Sequence, residues 1–320
     1  MRKMRGAGAT GWSWQGLQGR EVQSVTQDTA NGVLRRRERS SLIPYLLIAP
    51  NFVWLLLFMA GALLLLAVTS FRGYEPGGRG ILETWELTHY VAFLGDPFFL
   101  GVLWRSLVIA TQVTIVCVVL GFPLAYWLAQ LRGTARAVLY LAVLIPLLTS
   151  AVVRTFGWMI LLSNNGFLNK SLISLGILSS PVRLMYNELG IVIALAEVLL
   201  PFMVLALDAA LLNIDRQLYD AARNLGAGAV RIFFQVTLPL SMPGVISGSV
   251  LVFTLAISAY VTPALIGGPR VPVMSTTIYQ QGIALLNWPF GAAIAFVLLA
   301  TLIMLLAVLS YIGSRFARAV

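Results

Sequence analysis

Six stretches of this chain are apolar for long enough to cross a bilayer: about 42–71, 99–131, 137–162, 189–212, 245–266 and 288–312. A lipid interior offers no water to backbone N–H and C=O groups, so a spanning segment must satisfy them itself. About twenty apolar residues wound as a helix do this across the hydrocarbon core. Charged residues make up only 11% of the 320, against 59% hydrophobic, where a soluble domain carries about 25% charged. The expectation is an all-α membrane protein with six transmembrane helices. Prolines 44, 50, 123, 146, 201 and 263 lie in or beside these runs. Kinked helices lining a path are one reading of them, and packed structural helices tolerate the same breaks when neighbours satisfy the freed groups.

The segments between the runs differ in charge. With residues 1–41, the 132–136 turn, the 213–243 loop and the C-terminal tail on one side, that side holds fifteen Lys and Arg. The loops 72–98, 163–188 and 264–288 hold five. The positive-inside bias then puts both termini and the 213–243 loop in the cytoplasm. Residues 1–41 form a Gly- and Arg-rich tail ending in Arg35-Arg36-Arg37-Glu38-Arg39. Beside an apolar run, that cluster reads as a membrane anchor rather than a nucleic-acid patch. A cleavable leader fits poorly, because the apolar run is long and starts some forty residues in; Met4 is an alternative start. Cys117, the one cysteine, permits neither an intramolecular disulfide nor a cysteine metal cluster.

Residues 213–248 are a polar island between two apolar runs. Leu218, Ala221, Ala222 and Leu225 fall at i, i+3, i+4 and i+7, one face of a helix. Asp215 is placed to cap its start, and Gly226 to end it in a left-handed residue. Arg216 and Asp220, four apart, are spaced to pair. A second short helix presents Val230, Phe233, Phe234 and Thr237, and Pro239 and Pro243 are expected to stop it. This is a docking element rather than a catalytic one. An ordinary amphipathic helix lying at the membrane surface is the simpler alternative.

The spacing within that island resembles the EAA loop of binding-protein-dependent ABC importer permeases. The likeness rests on Asp220-Ala221-Ala222, on Gly226 six residues after the acid, and on Val236-x-Leu238-Pro239, with Pro239 thirteen after the glycine. Asp220 stands where the family's glutamate is usual; the charge is kept and its reach is one methylene shorter. Further patches resemble the spermidine/putrescine branch: Arg105-Ser106-Leu107 leading into Gly121-Phe122-Pro123, Asn165-Gly166 with Leu168-Asn169, Leu200-Pro201-Phe202-Met203, and Asn287-Trp288-Pro289-Phe290-Gly291. Permeases for iron, sulfate, thiamine and opines share the same architecture. The resemblance implies a type I importer permease domain over 42–315 in the bacterial inner membrane. It also implies a second permease subunit, two ATP-binding subunits and an external substrate-binding protein. ATP and Mg would sit on those ATPases, with no cofactor in this chain. The coupling residues it implies are Asp220, Ala221, Ala222, Leu225, Gly226, Leu238 and Pro239.

The chain's own chemistry points the same way. A phosphate-binding loop needs a glycine before its Lys-Ser, and before Lys170-Ser171 stands Asn169. His89 is a lone histidine in the first outer loop, with no partner pattern for a nucleophile or metal. Charges within apolar runs are costly, so they mark function or pairing. Glu197, Arg154 with Trp158 one turn on, Asp208 and Tyr260 are the candidates for a translocation path. Either Glu197 attracts a cation or Glu197 and Arg154 pair between helices. Two other classes are weighed: a secondary transporter usually shows repeated halves, and no repeat is visible here; a receptor or structural membrane protein would not need the Gly and Leu-Pro spacings.

Overall fold

The computed structural model describes residues 43–75 and 80–317, with side chains over 48–75 and 80–307. The Arg-rich tail with Met4 and the Arg35–Arg39 cluster lies outside the described residues. Apart from one hairpin the structure is helical. Its elements are α1 (Ile43–Ser70), β1 (Arg72–Glu75), β2 (Gly80–Trp85), α2 (Thr88–Gly95), α3 (Pro97–Gln130), α4 (Gly133–Leu144) and α5 (Ala151–Leu162). They continue through α6 (Phe167–Ser174), α7 (Glu188–Leu212), α8 (Arg216–Asn224), α9 (Ala229–Ile232), α10 (Leu238–Ser258), α11 (Met274–Tyr279) and α12 (Trp288–Ala317).

The chain divides into two compact units at Leu65 and Leu66. The described part of the first is an apolar helix with exposed side chains such as Trp54, Leu57 and Phe58. The second unit is built on α3, α7 and α10, which pack mainly against one another. Val113 and Cys117 of α3, Leu195, Met203 and Leu207 of α7, and Val252 and Ala256 of α10 are buried in their common cluster. Apolar burial alone does not drive helices together in lipid, so close van der Waals packing must. Small residues supply it. A Cβ on Gly244 would stand 2.4 Å from Ala210 Cβ and 3.0 Å from the Ala206 carbonyl oxygen. One on Gly248 would stand 2.7 Å from Met203 Sδ. Gly244 and Gly248 of α10 thus form a small-x-x-x-small seam on Ala206 and Ala210 of α7.

Among the described residues five helices are long and apolar enough to span, or six if one bent pair counts as a span. That pair corrects the third run, expected as one helix over 137–162. It is broken between Gly133–Leu148 and Ala151–Ser174 with a bend of 96°. Pro146 sits in a 3-10 turn over Ile145–Leu148. The Thr149 amide and hydroxyl both return to the Pro146 carbonyl, at 3.3 and 2.8 Å. Those bonds replace the lost helical ones and stabilise the break.

The fifth span is also displaced. It runs over Ala229–Ser258 rather than 245–266, and Pro239 and Pro243 do not stop it. A π segment, Phe233–Thr237, leads into α10, so Pro239 falls in its first turn where no N–H is required. The expected all-α fold gains an antiparallel hairpin, with Arg72 opposite Trp85 and Tyr74 opposite Ile81. Strands of four and six residues leave little periodicity to read. His89 holds that hairpin, its Nε2 3.0 Å from the Arg72 carbonyl oxygen. Asn169, wholly buried, clamps the 163–182 turn through the Ser163 and Val182 carbonyls and the Val182 amide.

The seam can be tested by one paired substitution. Gly244→Ala wedges a methyl against Ala210 and should cost about 1–3 kcal/mol as an overpacked contact. Gly101→Ala, with nothing within 4 Å of the added carbon, should cost nothing. Thermal unfolding of detergent-purified protein should therefore fall for Gly244→Ala alone.

Candidate functional site

The loop between α7 and α10 has a backbone held by local devices. Asp215 Oδ1 accepts from the Gln217 amide at 2.9 Å and caps α8. At the other end Gly226 adopts φ +78°. The Gly226 amide reaches Arg223 O and the Ala227 amide reaches Ala222 O, at 2.9 and 3.0 Å. These two bonds are a Schellman closure. Beyond it Ile232 is buried, and Phe233 packs edge-on to Phe122 and Tyr126 with ring centroids 5.4 and 6.1 Å away.

The apolar side chains on this frame face outward. Leu225 is 87% exposed, Val230 72% and Phe234 60%; Leu218 and Ala221 are exposed and Ala222 half-buried. Exposed apolar side chains on a fixed backbone are what an interaction surface requires. Asp220 lies 3.7 Å from Arg223, both exposed, so Arg223 rather than Arg216 is its partner; three-residue and four-residue spacings both bring side chains together on a helix. Leu238 and Pro239 are half-buried at the start of α10, where they join the loop to the core.

The spans hold a second set of polar residues, organised around α7. Its three acids, Glu188, Glu197 and Asp208, each meet an arginine from a different helix. Arg105 of α3 contacts Glu188 at 3.0 Å and reaches toward the Pro272 carbonyl. Arg136 of α4 contacts Asp208 at 2.7 Å, and Asp208 is 94% buried by its side chain. Arg154 of α5 approaches Glu197 with Nε at 3.8 Å. The structure thus brings together Arg154, Trp158 and Glu197, since the Trp158 indole N–H donates to Glu197 Oε2 at 3.2 Å. It does not group Asp208 with them: eleven residues along α7 is about 16 Å. Tyr260 stacks on Tyr279 at 4.8 Å, lining a cavity of about 280 Å³ with Ser275 and Trp288.

Sequence reasoning missed Arg136 and Arg105 as partners. The sequence reading places Arg136 in the 132–136 turn, but it lies in the first turn of α4, from which its side chain reaches Asp208. Ser106, beside Arg105, accepts from the Met274 amide at 2.8 Å and ties α3 to α11.

A bundle of apolar helices with charges paired across them, and one exposed apolar loop on a fixed backbone, is the build of a multi-pass membrane protein. Residues 108–318 match the family of binding-protein-dependent transport system inner membrane components. The chain belongs to that family and is a multi-pass inner-membrane permease subunit. It is 35% identical over 259 residues to the spermidine/putrescine transport system permease protein PotB of Haemophilus influenzae, covering 80% of this chain and 90% of that one. To PotB of Escherichia coli K12 it is 35% identical over 258 residues, covering 81% and 92%. The fold matches a chain of a bacterial alginate ABC transporter, solved with its pentasaccharide-bound periplasmic protein. The TM-score is 0.72 at 16% identity, covering 88% of this chain and 96% of that one.

The Arg136–Asp208 pair makes a sharp prediction. Arg136→Ala leaves a buried carboxylate uncompensated and should destabilise by about 3–5 kcal/mol. Adding Asp208→Asn should recover most of that loss. Thermal unfolding of the single and double variants in detergent checks both.

Proposed function

We propose that this chain is one membrane half of an ATP-driven polyamine importer. The observation that carries the reading is the 213–237 loop, with its backbone locked and its apolar residues turned outward for a partner. Asp220, Ala221, Ala222, Leu225 and Gly226 form the surface that enters a separate ATP-binding subunit, and Leu238 and Pro239 carry its motion into α10. The excess of basic residues on the loop's side supports a cytoplasmic location for it and for both termini. Residues 1–41 are then a cytoplasmic tail, 42–315 the permease domain, and 213–243 its coupling loop. The names of the PotB relatives support spermidine or putrescine as the substrate.

The remaining parts of the machine lie on other chains: two ATP-binding subunits with their ATP and Mg, a second and similar permease subunit, and an external substrate-binding protein. This chain supplies no catalytic residue and no cofactor, and nucleic acid has no place in the cycle. Closure of the ATPases on ATP draws the two coupling loops together. That motion, passed through the packed ends of α7 and α10, switches the passage between inward-facing and outward-facing states. Arg154, Trp158, Glu197, Asp208 and Tyr260 are the residues of this half that set the polarity of the passage and hold its walls.

Two measurements test the reading. Uptake of labelled putrescine and spermidine should fall when the gene is deleted and return with the intact gene. Gly226→Asp should leave the protein inserted at normal amounts but uncouple it. A side chain at φ +78° strains the closure that ends α8, and the aspartate adds a charge to the docking face. Normal uptake by that variant would sink the coupling role; unchanged polyamine uptake on deletion would sink the substrate.

A further inference from the structure

The three ion pairs on α7 are not alike, and the middle one is the least tightly bonded. Arg154 Nε stands 3.8 Å from Glu197 Oε2 and makes no hydrogen bond, although it is buried. Among the described residues, the one hydrogen bond of the arginine side chain goes from Nη1 to the Pro146 carbonyl at the break between α4 and α5. Arg154 is therefore tethered to the helix bend and only faces the carboxylate. On the other side Glu197 Oε2 takes the Trp158 indole N–H, while Oε1 accepts no hydrogen bond among the described residues. Arg105 and Arg136, by contrast, each donate a hydrogen bond to their acids, at 3.0 and 2.7 Å.

Glu197 is also the one of the three placed near the middle of α7 on its outward side. Its side chain is 32% exposed, in a row with Leu189, Ile193 and Leu200 at helical spacing. The opposite side of α7 is packed into the core. A carboxylate on an outward row within the membrane faces protein or a water-filled path, because lipid would not tolerate it.

We propose that Arg154 is a built-in placeholder cation, and that an ammonium group of the transported amine displaces it from Glu197. The proposal deepens the polyamine reading and rests on it. In the empty permease Arg154 neutralises Glu197, so the path offers no bare carboxylate to protons or inorganic cations. An alkylammonium supplies N–H donors that a metal cation lacks. It becomes the hydrogen-bonded partner of Glu197 through the free Oε1, while Arg154 keeps the Pro146 carbonyl and stays close enough to the carboxylate not to be left an unpaired buried charge. A charge-assisted hydrogen bond then replaces a contact that had none. Glu197 is the binding residue in this exchange, and Arg154 and Trp158 position it.

The test uses the complete transporter in membranes, with labelled putrescine uptake and ATP hydrolysis stimulated by putrescine-loaded binding protein. With one oxygen replaced by an amide and the charge gone, Glu197→Gln should lose about tenfold or more in uptake while hydrolysis continues. Glu197→Asp should recover part of that loss. Arg154→Gln should retain at least about fivefold more uptake than Glu197→Gln at equal inserted amounts, and should admit a monovalent-cation leak. Equal losses in Glu197→Gln and Arg154→Gln, or loss of Glu197→Gln and Glu197→Asp from the membrane, would mean a structural pair and overturn the exchange. If wild type imports putrescine and Glu197→Gln matches it, the exchange alone falls. If wild type imports no polyamine, the substrate reading falls with it.

Discussion

The close approach of α7 to α10 is the contact on which the rest depends. In water a stripe of leucines would hold two helices together, but in lipid it does not distinguish a partner from the solvent. What does is shape, and Gly244 and Gly248 set against Ala206 and Ala210 bring the two backbones near enough for dense contact. The coupling loop is strung between the ends of this same pair of helices, from Leu212 to Leu238. The loop's two ends are therefore anchored in helices that pack closely on each other.

The ion pairs follow from that centrality. α7 is the most buried of the candidate spans, with 56% of its apolar window buried, and it carries three acids about 14 and 16 Å apart along its axis. Each is met by a different helix, so α3, α5 and α4 are tied to α7 at three separate heights. Removal of one partner from such a pair leaves a charge that the surroundings cannot solvate. The pairs at the two ends are short and hydrogen-bonded, as braces must be. The central pair is long and lies beside the bend of the third span, where two short helices meet at 96°. The hydrogen-bonded pairs sit toward the two ends of α7, and the looser one beside the break.

Much of this was legible in the sequence, and the failures have physical causes. The number of runs and the polar island followed from hydrophobic length and periodicity, which depend on the chain alone. Pro123 and Pro201 sit inside unbroken helices, whereas Pro146 ends one, and the three look alike in the sequence. The difference lies after the proline: Thr149 folds its amide and hydroxyl back onto the freed carbonyl. The shift of the fifth span arises because a π turn brings Pro239 into a helix's first turn, which apolar patterning does not register. Arg154 and Glu197 could be paired in advance because both stand within apolar runs. Arg136 could not, since its place outside those runs concealed that its side chain returns to Asp208. The roles of these residues in transport are read from chemistry, not from proximity alone.

The loop meets two demands that conflict in an isolated chain. Its apolar side chains are left exposed, yet its backbone holds one shape without the burial that usually fixes a short helix. Nine residues of α8 are too few to be stable by propensity. Local bonds supply the difference: a carboxylate cap at Asp215, a left-handed Gly226 with both Schellman bonds, and one aromatic anchor at Phe233. The exposed Asp220–Arg223 contact adds about 0.3–0.5 kcal/mol at most. Shortening the family's glutamate to Asp220 therefore costs the helix little, and the acid's position on the outward face is a matter for whatever docks there. The order of this loop comes from its ends, which leaves its middle free to be read by another protein.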